Sequence, residues 1–369
     1  MIEYKTIRDL CSIVVDCPHS TPTWTVSGKI VVRNNNIKNG RIDFSSPSYT
    51  DDEHFQQRIK RATPQGGDII LTREAPMGEV GMIPEGAICC LGQRMVLLRA
   101  NPDLCDNYYL LYSLQSTYVQ HQISWSEGTG TTVSNLRIPH LEQLKIPYLP
   151  LLRQKQISSI LKCIEAKIEL NRVINDNLQQ QAQAIYASMF VDNADPTWKQ
   201  GHLSDVVIVR YGKDHKKLAD GIYPVYGSGG IMRHVERPLY DKESVLIPRK
   251  GTLNNVMYVN QPFWSVDTMF YTEMRLPNVA KFVYHFVKAK DLASMNAGSA
   301  VPSMTKDILN AMEIAIPHAS VLEEFESLVA PMYRAMQEND AQSKKLADMR
   351  DALLPKLMSG EIDVSDVQL

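Results

Sequence analysis

The sequence says one plan twice. Leu144-Lys-Ile-Pro147 returns 170 residues later as Ile314-Ala-Ile-Pro317, and Gly128-Thr129 returns as Gly298-Ser299 at the same offset. Each glycine opens a small-residue loop, GTGTT or GSAVPS, placed the same way ahead of its Ile-Pro motif. Beyond the motif each copy enters a long apolar-periodic stretch, where the offset becomes 168 and Ala184-Ile-Tyr aligns with Ala352-Leu-Leu. A repeat of this length constrains the chain to two like units. Length alone, 369 residues at roughly 150 per domain, suggests two or three domains, and the repeat makes it two.

The periodic stretches read as helices. From Ile157 the positions Leu161, Ile164, Ile168, Asn171, Asn175, Leu178, Ala182, Ile185 and Met189 step by four and three, which is the seam of a coiled coil. The second stripe runs Phe325, Val329, Met332, Met336, Asn339, Ser343, Leu346, Arg350, Leu353 and Leu357, keeping the period but weakening toward its end. Two separate amphipathic helices, each on its own domain, would give a similar pattern. A narrow stripe flanked by polar residues such as Gln179, Gln180, Gln181 and Gln183 suits another helix better than a sheet. The expected helix-pair interface is therefore Leu161, Ile164, Ile168, Leu178 and Ile185 against Val329, Met332, Met336, Leu346 and Leu353. Asn171 and Asn339 fall at one repeat position near the helix midpoints, where asparagine either fixes register or marks a solvated notch. Pro150 suits a first-turn position, Ser320 with Glu323 forms a capping box, Pro355 should kink or fray the last turns, and Gly360 fits a left-handed cap. Each helix should be about 34 residues, roughly 50 Å long.

Ahead of each helix lie short β-like runs broken by glycine and proline, such as Asp68-Ile-Ile-Leu-Thr72, Met95-Val-Leu-Leu98, Ser244-Val-Leu-Ile247 and Asn255-Val-Met-Tyr-Val259. The fold class is α+β: two globular α/β domains separated by two long helices packed as an antiparallel coiled coil, with an internal pseudo-two-fold repeat. The expected divisions are 1–149 for the first domain, 150–192 for the first helix, 193–318 for the second domain and 319–369 for the second helix and tail. Asp192 to Pro196 reads as the linker between halves.

Composition excludes a good deal. With 44% hydrophobic and 22% charged residues the chain buries a full core and is no disordered coat. It lacks an 18-residue apolar run and a signal-like amino terminus, which points to a cytoplasmic protein without a membrane. Six cysteines show no CxxC pair, so reduced core thiols are expected and no metal. A phosphate loop, an asparagine-proline-proline-aromatic motif, HExxH and GxSxG are all missing. The near-neutral total hides a split: residues 1–150 carry −1, 151–197 carry 0, 198–317 carry +4 and 318–369 carry −5. A basic second domain is compatible with a phosphate-facing surface.

That domain holds the glycine-dense run Tyr223-Pro-Val-Tyr-Gly-Ser-Gly-Gly230, then Arg233, His234, Arg237, Arg249-Lys250-Gly251 and Asn254-Asn255. The first domain has Arg33-Asn-Asn-Asn36, Arg73, Arg94 and the Gly128 to Thr132 loop. Glycine amides can approach phosphate, and Arg, Lys and Asn can read base edges. Ordinary turns and solvated charge are the competing explanation.

With these residues in view, the chain resembles the specificity (S) subunit of type I restriction-modification systems. The features that carry the resemblance are Gly67-Asp-Ile-Ile-Leu-Thr-Arg-Glu-Ala-Pro-Met-Gly78, Gly92-Gln-Arg94, the Gly128 loop with its Ile-Pro motif, Gln156-Ile157 in the first helix, the Tyr223 to Gly230 loop, and Leu353-Leu-Pro-Lys-Leu-Met-Ser-Gly-Glu-Ile362. The resemblance implies two target-recognition domains, each reading half of a split double-stranded DNA sequence. It implies a chain that is not catalytic and binds no cofactor itself, docking modification subunits that use S-adenosylmethionine, with restriction subunits joining through them. The two domains differ at their loops, GTGTT against GSAVP with Tyr-Gly-Ser-Gly-Gly only in the second, so a non-palindromic target is implied. Candidate DNA-binding residues are Arg73, Arg94 and Thr129 in the first domain and Tyr226, Gly229, Arg249 and Asn254 in the second. A coiled-coil adaptor binding protein rather than DNA is the alternative, and an atypical methyltransferase a third reading.

Overall fold

In the computed structural model the described residues are 3–125, 135–295 and 303–365. The chain divides into two compact units, Met1–Leu170 with Gln342–Leu369, and Asn171–Ala341. This division cuts across the expected one, because each unit keeps a stretch of both long helices.

The first unit has a six-stranded sheet in the order Cys11–Asp16, Met95–Ala100, Ile69–Thr72, Val80–Met82, Gly40–Ile42, Ile37–Lys38. Its second sheet places Lys29–Val32 between Ser48–Thr50 and Cys89–Leu91, and Glu3–Thr6 pairs with Lys145–Tyr148. The second unit repeats the plan. Val207–Tyr211, Met269–Met274, Ser244–Pro248 and Met257–Val259 form its main sheet. Asp220–Gly227 lies between Gly230–Val235 and Trp264–Ser265, and Lys199–His202 pairs with Glu313–Ile316. Registers match as well: Asp16 faces Val96 as Tyr211 faces Phe270, and Val31 faces Cys90 as Val225 faces Trp264. The constant offset seen near the helices fails upstream because the first unit carries extra elements between its matching strands, the pair Ile37–Lys38 and Gly40–Ile42 and the helix Asp52–Arg58.

Runs such as Ile69–Thr72 and Ser244–Pro248 are buried at every residue, as expected for strands covered on both faces, which is why they read as apolar blocks rather than alternation. In each unit a nine-residue helix, Asn107–Gln115 or Ala280–Lys288, packs toward the long helices. Tyr112 donates its hydroxyl proton to Glu165 at 3.0 Å in the first unit, and Arg350 lies 3.6 Å from the same carboxylate. In the second, the His285 ring bonds Gln183 at 2.8 Å and the Tyr333 hydroxyl at 2.9 Å. Glu165 and Tyr333 are separated by the 168-residue offset, so the same junction is polar in both units with different chemistry.

The long helices span Leu151–Ala187, continued by a π-helical turn Ser188–Asp192, and Ala319–Met358. All twenty positions of the two stripes are buried or half-buried, and residues between them such as Gln180 and Gln181 are exposed. Leu161, Ile157, Leu354, Leu357 and Met358 join the core of the first unit, and Ala182, Tyr186, Phe190, Phe325, Val329 and Tyr333 that of the second. Midway along, asparagines cross the seam: the Asn171 amide donates to the Asn339 carbonyl at 3.3 Å, and the Asn339 amide to Asn175 Oδ1 at 2.9 Å.

The helix ends differ from expectation in two places. The second helix closes its first turn on the His318 carbonyl, which accepts from Val321 and Leu322, so Ser320 lies inside the turn and makes no capping box. Helical backbone continues through Pro355 to Met358, held by burial of Leu354, Leu357 and Met358, and ends at Gly360 with φ +72°. Pro150 immediately precedes the first helix, its carbonyl accepting the first helical bond from Gln154 N at 3.1 Å.

Candidate nucleic-acid interface

The loops that follow the central strands gather at one end of the main sheet in each unit, and matching backbone bonds align them residue for residue. Arg73 N donates to the Arg94 carbonyl at 2.8 Å, and Leu136 N to the Arg73 carbonyl at 3.1 Å. In the second unit Arg249 N donates to the Thr268 carbonyl at 2.8 Å, and Met304 N to the Arg249 carbonyl at 2.9 Å. Arg73 and Arg249 therefore hold one repeat position, and so do Asp16 and Tyr211 by the register above.

Their surroundings diverge. The Arg73 guanidinium is buried, with Nη1 on both Asp16 carboxylate oxygens at 2.8 and 2.9 Å, Nε on the Leu136 carbonyl at 2.8 Å and Nη2 on Asn135 at 3.2 Å. All three nitrogens are engaged, and the position corrects the expectation that Arg73 reaches DNA: this arginine ties strands together. Arg249 has tyrosine where Arg73 has aspartate. Its guanidinium lies 5.8 Å from the centre of the half-exposed Tyr211 ring, and among the described residues it has no ion pair. The next residues follow suit, Glu74 against Lys250. Counting Asp16, Arg73, Glu74 and Arg94 against Tyr211, Arg249, Lys250 and Thr268, the first set is neutral and the second carries two positive charges.

Lys250 is exposed, and Lys213, two residues beyond Tyr211, is a further exposed positive charge. Glycine supplies the loop shape. Gly230 and Gly251 have φ of +113° and +86°, and a Cβ on Gly251 would lie 2.7 Å from Ser228 Oγ, so this hairpin tip and the Arg249 loop meet closely. Asn255 closes the contact by donating to the Ser228 carbonyl at 2.8 Å.

The other candidates fall variously. Arg94 is exposed, with φ +66° and Nε 3.3 Å from Glu74. Gly229 sits at the open hairpin tip, with nothing within 4 Å of an added Cβ. Tyr226 is buried in the small sheet against Phe263, its hydroxyl accepting from Gln261 at 3.3 Å, which corrects its placement as a surface reader. Asn254 is exposed and bonded to a neighbouring loop: its amide donates to Asp291 at 3.0 Å and its side-chain carbonyl accepts from Ala293 N at 3.0 Å. The same amide holds the Asp291 carboxyl below the usual range. Asn254 thus holds a loop while remaining at the surface. Thr129 lies outside the described residues. Sequence reading missed Tyr211 and Asp16, whose importance comes only from the strand register that sets each beside its arginine.

No helix among the described residues is long and apolar enough to cross a membrane, and no group of three His, Cys, Asp or Glu side chains there is placed to hold a metal. Cys17, Cys89, Cys90 and Cys105 are buried and free, Cys11 half-buried, and Cys163 exposed. Burial raises the Cys89 thiol to about 12 and Cys90 to about 11, so neither is a ready nucleophile.

Comparison with known proteins adds to this geometry. The family model for the type I restriction modification DNA specificity domain matches residues 2–180 and again 196–326. A type I restriction enzyme specificity subunit of Methanocaldococcus jannaschii, MjaIX, is 23% identical over 345 residues, covering 82% of this chain and 79% of that one. A putative type I specificity subunit of Mycoplasma genitalium is 24% identical over 275 residues, covering 68% and 70%. The crystal structure of a type I S subunit from M. genitalium superposes with a TM-score of 0.59 at 19% identity, covering 97% of this chain and 96% of that one, and so shares the fold. With two copies of the domain accounting for most of its length, the chain belongs to the type I restriction-modification DNA specificity family.

Proposed function

We propose that this chain is the DNA-reading subunit of a type I restriction-modification complex, each unit recognising one half of a split, non-palindromic double-stranded target. The long helices set the unread spacer and dock modification subunits, which carry the S-adenosylmethionine; restriction subunits join through these. The chain itself performs no chemistry and works in the cytoplasm.

The observation that carries the reading is the divergence at one repeat position. A duplicated scaffold that kept the backbone bonds of Arg73 and Arg249 but replaced Asp16 by Tyr211 presents neutral loops in one unit and an open, doubly positive set in the other. Two such surfaces cannot select the same base pairs, so their combined target is asymmetric.

The test is to co-express the chain with its modification subunits and map methylated adenines. The expected result is one bipartite motif with different halves. Duplex affinity of the complex should fall steeply with salt, because phosphate contacts release counterions. Binding that ignores salt, or no duplex binding at all, would instead favour the protein-binding adaptor. Binding of S-adenosylmethionine by the isolated chain would overturn the non-catalytic part of the proposal.

A further inference from the structure

Two arginines among the described residues lie over aromatic rings, one in each unit. Arg249 on Tyr211 is one. The other is Arg33, whose guanidinium is 5.3 Å from the centre of the Trp24 ring. Both rings are unusually open for their size, Trp24 at 46% and Tyr211 at 50% exposure. Neither arginine has a carboxylate partner among the described residues; Arg33 adds one long hydrogen bond, Nη1 to Ser48 Oγ at 3.4 Å.

The pairs are not repeat equivalents. The counterpart of Arg249 is Arg73, consumed by Asp16. Arg33 directly follows the strand Lys29–Val32, and the parallel ladders that pair Val31 with Cys90 and Val225 with Trp264 put Gly227 in the matching place. In the second unit that place is the glycine hairpin, with no side chain to offer. Each unit thus presents one arginine over an aromatic ring with no carboxylate partner among the described residues, and presents it from a different strand end.

An arginine held over an aromatic ring has its guanidinium steadied while most of its donors stay available. Arginine is also the side chain that most often reads guanine, through paired bonds to O6 and N7 in the major groove. We propose that Arg33 on Trp24 is the base-reading arginine of the first unit, as Arg249 on Tyr211 is that of the second, and that each reads a guanine in its own half-site. The inference rests on the DNA-reading function above and adds which residues select bases and where.

The experiment uses the full chain in complex with its modification subunits, mapping methylated motifs for wild type, Arg33→Ala, Arg33→Lys, Trp24→Ala and Arg249→Ala. The expected outcome for Arg33→Ala is loss of about tenfold or more in methylation at the parent motif, with a guanine in one half widened to other bases. Arg249→Ala should widen a guanine in the other half. Trp24→Ala should affect the Arg33 position more weakly. Arg33→Lys keeps the charge but not the fork, so it guards against a misfolded alanine variant and should widen the same position.

An unchanged motif with Arg33→Lys and Arg33→Ala overturns the inference. So does an even loss of methylation with the motif intact, which would mean a phosphate contact, and so does widening in the half that Arg249→Ala affects. If the wild-type complex yields no bipartite motif at all, the functional reading itself falls and takes this inference with it. A wild-type bipartite motif that ignores Arg33 overturns only the inference.

Discussion

Arg73 and Arg249 make opposite predictions at the scale of single residues. Removing Arg73 takes from the Asp16 carboxylate, only 17% exposed, its arginine partner and leaves it the exposed His19 ring at 3.0 Å. Losing the guanidinium together with its bonds to Leu136 and Asn135 costs about 2 to 3 kcal/mol. Arg73→Ala should therefore lower the urea midpoint of the first unit strongly and weaken DNA binding only through lost fold. Arg249 touches one ring face, so Arg249→Ala should change stability by less than about 1 kcal/mol while altering the motif. Equal destabilisation by the two would refute this contrast. His285 gives a pH prediction. Burial pushes its pKa down to about 4, and its neutral ring is held between Gln183 and Tyr333. In the unfolded chain it takes up a proton near pH 6.5, so between about 6.5 and 4 the unfolded state binds more protons. This contribution to stability is complete above about pH 6.5 and is lost as pH falls through that window, on the order of 3 kcal/mol in all. His285→Gln should flatten the slope of stability against pH there; an unchanged slope would show that the ring does not carry it.

Among elements, the helices were the legible ones and the strand-end loops were not. A heptad stripe is a local pattern, set by 3.6 residues per turn, and from Ile157 to Met189 it can be read without knowing what the helix meets. The short apolar strands were legible for the same reason. What Arg73 does depends on Asp16, 57 residues away, and what Arg249 does depends on Tyr211 across two strands. Such pairs exist only once the register is known, which is why Tyr226, chosen for residue type, turned out to be packed and Asn254 to hold a loop. Helix ends fell between these cases: Gly360 was plain, whereas Ser320 lost the cap to His318. The asparagine crossing tests the seam itself. Asn171 is fully buried and bonded across it, a choice that trades stability for register. Replacing Asn171 and Asn339 together by leucine should raise the unfolding free energy by about 1 kcal/mol, since buried leucine outweighs a net hydrogen bond. A lower urea midpoint in the double variant would mean that the asparagine bonds are the stronger term.

For the whole molecule the two helices are the continuous parts: each passes as unbroken helix from one compact unit into the other, through Leu170–Asn171 and Ala341–Gln342. If the unread spacer is set by these helices, its length should follow theirs. Deleting residues 168–174 and 336–342 removes one heptad from each. The two segments are related by the 168-residue offset, and each deletion rejoins its stripe with a step of four, Ile164 to Asn175 and Met332 to Ser343. Helix length falls by about 10 Å, which corresponds to about three base pairs at 3.4 Å per step. Two rotations accompany the shortening, and they differ in size. A heptad removes nearly two whole turns and shifts a helix face by only about 20°. Three base pairs turn the duplex by about 100°, at about 10.5 base pairs per turn. The shortened protein must therefore twist its DNA or accept imperfect contacts in one half. The expected outcome is a methylated motif with both halves unchanged, a spacer two or three base pairs shorter, and slower methylation than the parent. A deletion variant that still methylates the parent spacer would mean that something other than helix length fixes the distance between half-sites.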